Sequence, residues 1–259
     1  MARYGKAFEL PLKWRMACAS DMRVIGHRGA AGHVPENTIA SVHAARALGA
    51  EGVEFDVRAL DGALIVLHDA TLERTTDGRG HYKDYDLTGL RALRTAAGEP
   101  IPLLAEMLDA AEGFDPVNVE VKEAGIADAV VDALEHHYAD HPARLARVLL
   151  SSFDRATTAR LAARRGRMQL GVLYENEPFA EALARAVALA ADSLHLPLAD
   201  LTPARVIAAH AAGLRVYVYT VNEADAIAAC AAWGADGVFS DFPERVLEFE
   251  REHPPVPRP

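Results

Sequence analysis

The sequence predicts a single (β/α)8 barrel. The chain has 259 residues, a length that suits one such barrel. From Met22 onward, short β-rich runs alternate with longer alanine-rich helical runs. Eight runs of each kind can be counted. No GxGxxG follows the first strand, which argues against an open doubly wound sheet.

The predicted strands are Arg23–His27, Gly52–Arg58, Val117–Lys122, Arg147–Ser151, Met168–Leu173, Ser193–Leu196, Arg215–Tyr219 and Gly237–Ser240. Several are nearly continuous apolar runs, as strands of a buried parallel sheet should be. The predicted helices are Asn37–Leu48, Leu103–Glu112, Ile126–Tyr138, Arg155–Arg165, Phe179–Ala190, Pro203–Ala212, Glu223–Ala232 and Pro243–Arg251. Pro35-Glu36-Asn37-Thr38 offers a helix start, with Asn37 or Thr38 as its cap. Thr202-Pro203 pairs a cap residue with proline at the first helical position.

The second unit is longer than the others. Ala63–His68 reads as an extra strand paired with Gly52–Arg58 across an Asp61-Gly62 turn. The polar, turn-rich run that follows makes an insertion at about 59–102, a small excursion over one barrel face. Residues 1–21 are expected to be an N-terminal extension, 22–251 the barrel domain, and 252–259 a proline-rich tail.

Lys+Arg number 27 against 37 Asp+Glu, a formal net charge of −10. That argues against a nucleic-acid or anionic-membrane binder, since both reward a basic surface. It leaves room for a small anionic substrate in a locally positive cleft. Two cysteines, Cys18 and Cys230, make no disulfide framework, and Cys230 lies in an apolar run that suits a core position. No apolar run approaches the roughly 18 residues of a membrane span. The N-terminus has no continuous apolar segment like that of a signal peptide. A cytoplasmic setting is expected, with no stable membrane insertion; the sequence carries no signal for oligomeric state.

Barrel enzymes gather their functional groups at the C-terminal ends of the strands. Here those ends carry His27-Arg28, Glu54 and Asp56, His68-Asp69, and Glu120 with Lys122. Glu54 and Asp56 are two apart, as are Glu120 and Lys122, so each pair shares one strand face. Three inward carboxylates repel unless something cationic lies between them. A divalent cation held by oxygen ligands is one solution. An ion-pair network with Arg28, Arg58 and Lys122 is the other, and the spacing leaves both open. Of the 11 histidines, His27 and His68 stand out by adjoining the carboxylate-bearing strand ends. His33 is a weaker candidate, and His195 lies on a strand that could face the site. His43 and His210 fall within helices, where packing is expected; His136, His137, His141 and His253 lie in polar runs.

These pieces resemble the glycerophosphodiester phosphodiesterase family. The resemblance rests on His27-Arg28-Gly29, Pro35-Glu36-Asn37-Thr38, Glu54-x-Asp56, His68-Asp69, Leu72-x-Arg74-Thr75-Thr76, Glu120-Val121-Lys122, Ser151-Ser152-Phe153, Thr220-Val221-Asn222 and Ser240-Asp241-Phe242-Pro243. It spans about residues 22–250. The family commonly has tryptophan where Tyr219 stands here, so the alcohol-binding wall is expected to differ in shape. The resemblance implies a metal-dependent hydrolysis of a small-molecule glycerophosphodiester to glycerol 3-phosphate and an alcohol. It assigns Glu54, Asp56 and Glu120 to one Mg2+ or Ca2+. It assigns Arg28 and Lys122 to phosphate, Tyr219 to the alcohol, and His27 and His68 to acid–base work. Two enzymatic alternatives are a lysophospholipase D and a sphingomyelinase D-like phosphodiesterase. A non-catalytic phosphate-ligand binding protein on the same fold is a third reading.

Overall fold

The structure is a computed structural model that describes residues 22–254. Eight parallel strands close a barrel: β1 (Arg23–Gly26), β2 (Gly52–Leu60), β4 (Val117–Val121), β5 (Val148–Ser152), β6 (Gln169–Leu173), β7 (Ser193–Pro197), β8 (Arg215–Tyr219) and β9 (Gly237–Ser240). Closure is explicit in the register, because β1 pairs with β2 (Ile25 opposite Gly52) and also with β9 (Ile25 opposite Phe239). The open-sheet alternative is thereby excluded. Strand β3 (Ala63–Val66) lies outside the ring, antiparallel to the far end of β2 across the Asp61-Gly62 turn. That hairpin extends β2 two residues beyond its predicted end at Arg58.

Helices follow the strands as α1 (Ile39–Ala47), α2 (Leu87–Ala92), α3 (Leu104–Ala110), α4 (Ala127–His137), α5 (Arg155–Arg164), α6 (Phe179–Ala188), α7 (Pro203–Ala211), α8 (Ala224–Trp233) and α9 (Pro243–Glu252). Each predicted helix is present, most of them trimmed by a residue or two at an end. The start of α1 shows why. Thr38 is the cap, its hydroxyl accepting a hydrogen bond from the Ser41 backbone N–H at 3.0 Å. Asn37, predicted inside the helix, has φ 57° and turns its amide toward the barrel instead. Thr202 caps α7 as expected, with Pro203 at the first position.

Strand alternation divides the interior in two. On β4 the sequence Val-Asn-Val-Glu-Val sends Val117, Val119 and Val121 outward to the helices. Asn118 and Glu120 take the opposite face, into the lumen. The lumen is filled by Ile25, Leu149, Tyr217 and Phe239, with His195 packed against the last two. Two larger apolar clusters lie between strands and helices, and Cys230 is buried in one of them. Cys18, like the rest of residues 1–21, lies outside the described residues.

The excursion after β3 carries a small core of its own: Leu60, Ile65, Leu67, Leu72, Tyr82, Leu90 and Ile101. Short helix α2 and a 3-10 turn at Tyr82–Asp84 sit within it. Neither was legible in the sequence, because both are too short to show a period.

His195 occupies space that β6 leaves by using glycine. A Cβ on Gly171 would lie 2.3 Å from the His195 Nε2 atom. Gly171→Ala is expected to destabilise the protein by about 1–3 kcal/mol through overpacking. Urea unfolding measures this; an unchanged midpoint would contradict the packing described.

Candidate active site

Four strand ends and two loops converge at the C-terminal mouth of the barrel. The loop after β1 makes a sharp turn in which Arg28 has φ 52° and Gly29 φ 88°. A side chain at Gly29 would strike Ser41, whose Oγ lies 2.2 Å from the position of a Cβ. The turn is pinned on both sides. Ser41 donates to the Arg28 carbonyl at 2.8 Å, and the Asn37 N–H donates to the same carbonyl at 3.0 Å. This geometry lets His27 and Arg28, adjacent in sequence, both reach the mouth.

Glu54 and Asp56 on β2 and Glu120 on β4 are buried, and each offers a carboxylate oxygen within 4.8 Å of the others. Asp56 lies directly opposite Glu120 in the strand register. Asn37 donates to Asp56 Oδ2 at 2.8 Å and accepts from the Asp56 N–H at 3.1 Å. The Arg28 backbone N–H donates to Glu54 at 2.8 Å. Lys122 bonds Glu120 at 2.6 Å and stands 3.5 Å from Asp56, while the Arg28 Nε is 3.4 Å from Asp56. So the two readings that the spacing left open overlap. Arg28 and Lys122 do pair with the cluster, but Arg58 does not. Its guanidinium reaches the His68 carbonyl and Glu123.

Two cations do not neutralise three buried carboxylates, and the acids register the deficit. Burial, then the Asp56 and Glu120 charges, push Glu54 well above the ordinary glutamate range. Burial and Asp56 raise Glu120 against the opposing pull of Lys122. Burial works against Asp56 as well, but Lys122, Arg28 and His68 outweigh it and hold Asp56 low. Glu54 Oε1 and Asp56 Oδ1 are buried without a hydrogen-bond partner. A hard divalent cation fits this donor set: all oxygen, two atoms unsatisfied, and too much negative charge.

Each candidate histidine is anchored through Nδ1 on a carboxylate. His27 Nδ1 lies 2.7 Å from Asp241 Oδ1, and His68 Nδ1 lies 2.7 Å from Asp69 Oδ1. Such bonds fix ring orientation and leave Nε2 for chemistry. Asp241 is held in turn by Asn222, which donates to its Oδ2 at 2.7 Å and accepts its backbone N–H at 2.9 Å. Asp69 is bound by Arg74 at 2.5 Å, which holds its carboxyl down to about 2. Arg74 then grips Glu36 with two bonds of 2.6 and 2.8 Å, and Glu36 also accepts from Arg28 at 2.8 Å. Burial, with the charges of Lys122 and Arg28, lowers the His68 imidazole against the pull of Asp56 and Asp69.

Tyr219 ends β8 at the same mouth. Its hydroxyl donates to the Tyr174 carbonyl at 2.8 Å, and its ring meets Phe153 edge-to-face at 5.9 Å. Phe153 is 37% exposed, and the Lys122 ammonium lies 5.6 Å from its ring centre. All eight candidate side chains thus belong to one mouth. His33 and His195 do not. His33 bonds Glu244 at 2.8 Å on α9, and His195 is fully buried in the lumen beside Ser193. His43 and His210 are exposed, not packed.

Against known proteins, residues 27–245 match the model of the "Glycerophosphoryl diester phosphodiesterase family". The chain belongs to that family. A glycerophosphodiester phosphodiesterase of Caldanaerobacter subterraneus subsp. tengcongensis is 32% identical over 246 residues, covering 88% of this chain and 98% of that one. One from Bacillus altitudinis is 30% identical over 248 residues, covering 89% and 98%. Among solved structures, a phosphodiesterase of Oleispira antarctica in complex with the product sn-glycerol-3-phosphate superposes with a TM-score of 0.80 at 29% identity. It covers 88% of this chain and 96% of its own.

Glu54→Gln keeps an acceptor for the Arg28 N–H and removes the least favoured charge. It is expected to stabilise the metal-free protein by about 1 kcal/mol, a Tm rise of roughly 2–4 °C. The folded-state pKa of Glu54 is raised, so its stabilising contribution is present at acid pH and lost as pH climbs. The gap between variant and wild type should therefore open above the ordinary glutamate range. A lower metal-free Tm in the variant at pH 8 would contradict this.

Proposed function

We propose that the protein hydrolyses a small glycerophosphodiester to glycerol 3-phosphate and an alcohol, using a divalent cation and paired histidines. The observation that carries the reading is the company of two carboxylate-anchored imidazoles and three under-neutralised carboxylates in one barrel mouth. Family membership supports the reaction class. The product bound to the Oleispira antarctica phosphodiesterase supports a glycerophosphodiester as substrate.

Glu54, Asp56 and Glu120 would hold the cation, Mg2+ or Ca2+. When bound, such an ion neutralises charge on the phosphoryl oxygens and orients the diester. Arg28 presents a planar guanidinium to phosphate oxygens, and Glu36 fixes its aim. Lys122 adds a point charge beside Glu120. His27 and His68 supply an acid for the leaving oxygen and a base for the attacking hydroxyl. Asp241 and Asp69 hold those rings in place. Tyr219 and Phe153 form an aromatic wall for the alcohol. Because the Tyr219 hydroxyl is engaged by Tyr174, the wall offers ring surface more than a donor. The enzyme is proposed to act on free diesters in the cytoplasm; among the described residues no helix is long and apolar enough to cross a membrane.

His27→Ala and His68→Ala are each expected to lower kcat by about 100- to 10,000-fold with the fold retained. Steady-state assays with circular dichroism check this; near-normal turnover in both would remove the pair. Exhaustive chelation is expected to abolish release of glycerol 3-phosphate, and Mg2+ or Ca2+ to restore it. Undiminished activity in the chelated protein would remove the cation.

A further inference from the structure

His68 stands where the backbone ladder has run out. The β2–β3 pairing ends with Val57 opposite Val66, and the last backbone bond runs from the Leu67 N–H to the Asp56 carbonyl at 3.0 Å. The His68 carbonyl, one residue further, has no strand partner. Arg58 takes that place. Its Nε and Nη2 donate to the His68 carbonyl at 3.1 and 2.6 Å. Its Nη1 donates to Glu123 Oε1 at 3.4 Å.

The position of Arg58 makes this arrangement specific. With Glu54 and Asp56 it forms a series at every second residue of β2, so all three share the site face. Yet among the described residues its ion pair is with Glu123, immediately after Lys122, and not with the three carboxylates. Lys83 pairs with the second oxygen of Glu123 at 3.3 Å, and the Arg58 guanidinium lies 5.7 Å from the ring centre of fully buried Tyr82. Arg58 and Glu123 are only 13% and 12% exposed, so solvent screening of the pair is limited. One planar group therefore ties the excursion that carries His68 to the end of β4, which carries Glu120 and Lys122.

We propose that Arg58 is the positioning residue for His68, holding its backbone at a fixed distance from the carboxylate cluster through a fork that lysine cannot reproduce. This rests on the reading that His68 transfers a proton in the reaction. Displacing a catalytic group by an ångström or so is enough to lower turnover about 100-fold. Substrate affinity, set by Arg28, Lys122 and the aromatic wall, is left in place.

The test measures kcat and KM for wild type, His68→Ala, Arg58→Ala and Arg58→Lys on one glycerophosphodiester at 25 °C, in parallel arms with saturating Mg2+ and saturating Ca2+. Arg58→Ala is expected to lower kcat about 10- to 100-fold with KM within about twofold. Guanidinium chloride at low millimolar concentration should restore part of that loss in Arg58→Ala and none in His68→Ala. If Arg58→Ala does not fold, Arg58→Lys decides: it keeps the charge but loses the fork, and its kcat should fall at least fivefold with KM unchanged. An Arg58 variant with kcat near wild type, while His68→Ala is inactive, overturns the proposal and leaves the proposed function standing. A loss that guanidinium does not restore, or that matches the fraction unfolded, overturns it in favour of a purely structural clamp. An inactive wild type sinks the proposed function itself.

Discussion

Everything at the barrel mouth follows from three carboxylates that the strands force together. Parallel pairing sets Asp56 opposite Glu120, and the two-residue period puts Glu54 on the same face. Burial denies them water, so their repulsion is felt at low dielectric. Arg28, Lys122 and Asn37 offset part of that repulsion, and two carboxylate oxygens remain without a hydrogen-bond partner. The rest of the site is arranged around this surplus of negative charge. It holds Arg28 and Lys122 in their charged forms and sets the field in which His68 sits. It also makes the mouth receptive to a divalent cation, which would in turn receive an anionic diester.

A second constraint is orientation. The two histidines come from different elements, one just beyond β1 and one just beyond the β2–β3 hairpin. Each is tied by Nδ1 to an aspartate: His68 to its sequence neighbour Asp69, and His27 to Asp241 just beyond β9. The supports differ in kind. Asp241 rests on the neutral amide of Asn222, whereas Asp69 is locked into a charged chain through Arg74 and Glu36 to Arg28. That chain joins His68 to Arg28, the arginine proposed to meet phosphate, so the two are positioned as one body.

Most of the barrel was legible in the sequence because parallel strands and their covering helices have strong periods. Val-Asn-Val-Glu-Val on β4 announces both a buried strand and two residues aimed into the lumen. The doubt between an ion and an ion-pair network was inherent in spacing alone. Period two places Arg58 beside Glu54 and Asp56, and only the hairpin geometry shows that its long side chain reaches away to His68 and Glu123. Asp69 adjoins His68, so the sequence offered it as an orienting residue among other roles, whereas Asp241 was visible only as a motif residue whose partner lies far away. His27 and Asp241 are separated by 214 positions. Asn37 looked like a helix residue because its side chain suits a cap. Its real place, bonded to Asp56, depends on the closed barrel. Phe153 carried no mark beyond its motif, since a lone aromatic after a strand is usually core.

The most direct measurement is an anomalous difference map from crystals soaked in Mn2+, a stand-in for the hard cation. The account predicts one strong peak about 2.0–2.6 Å from carboxylate oxygens of Glu54, Asp56 and Glu120. A saturated crystal with no peak there, and with Arg28 and Lys122 filling the space between the three acids, would contradict it.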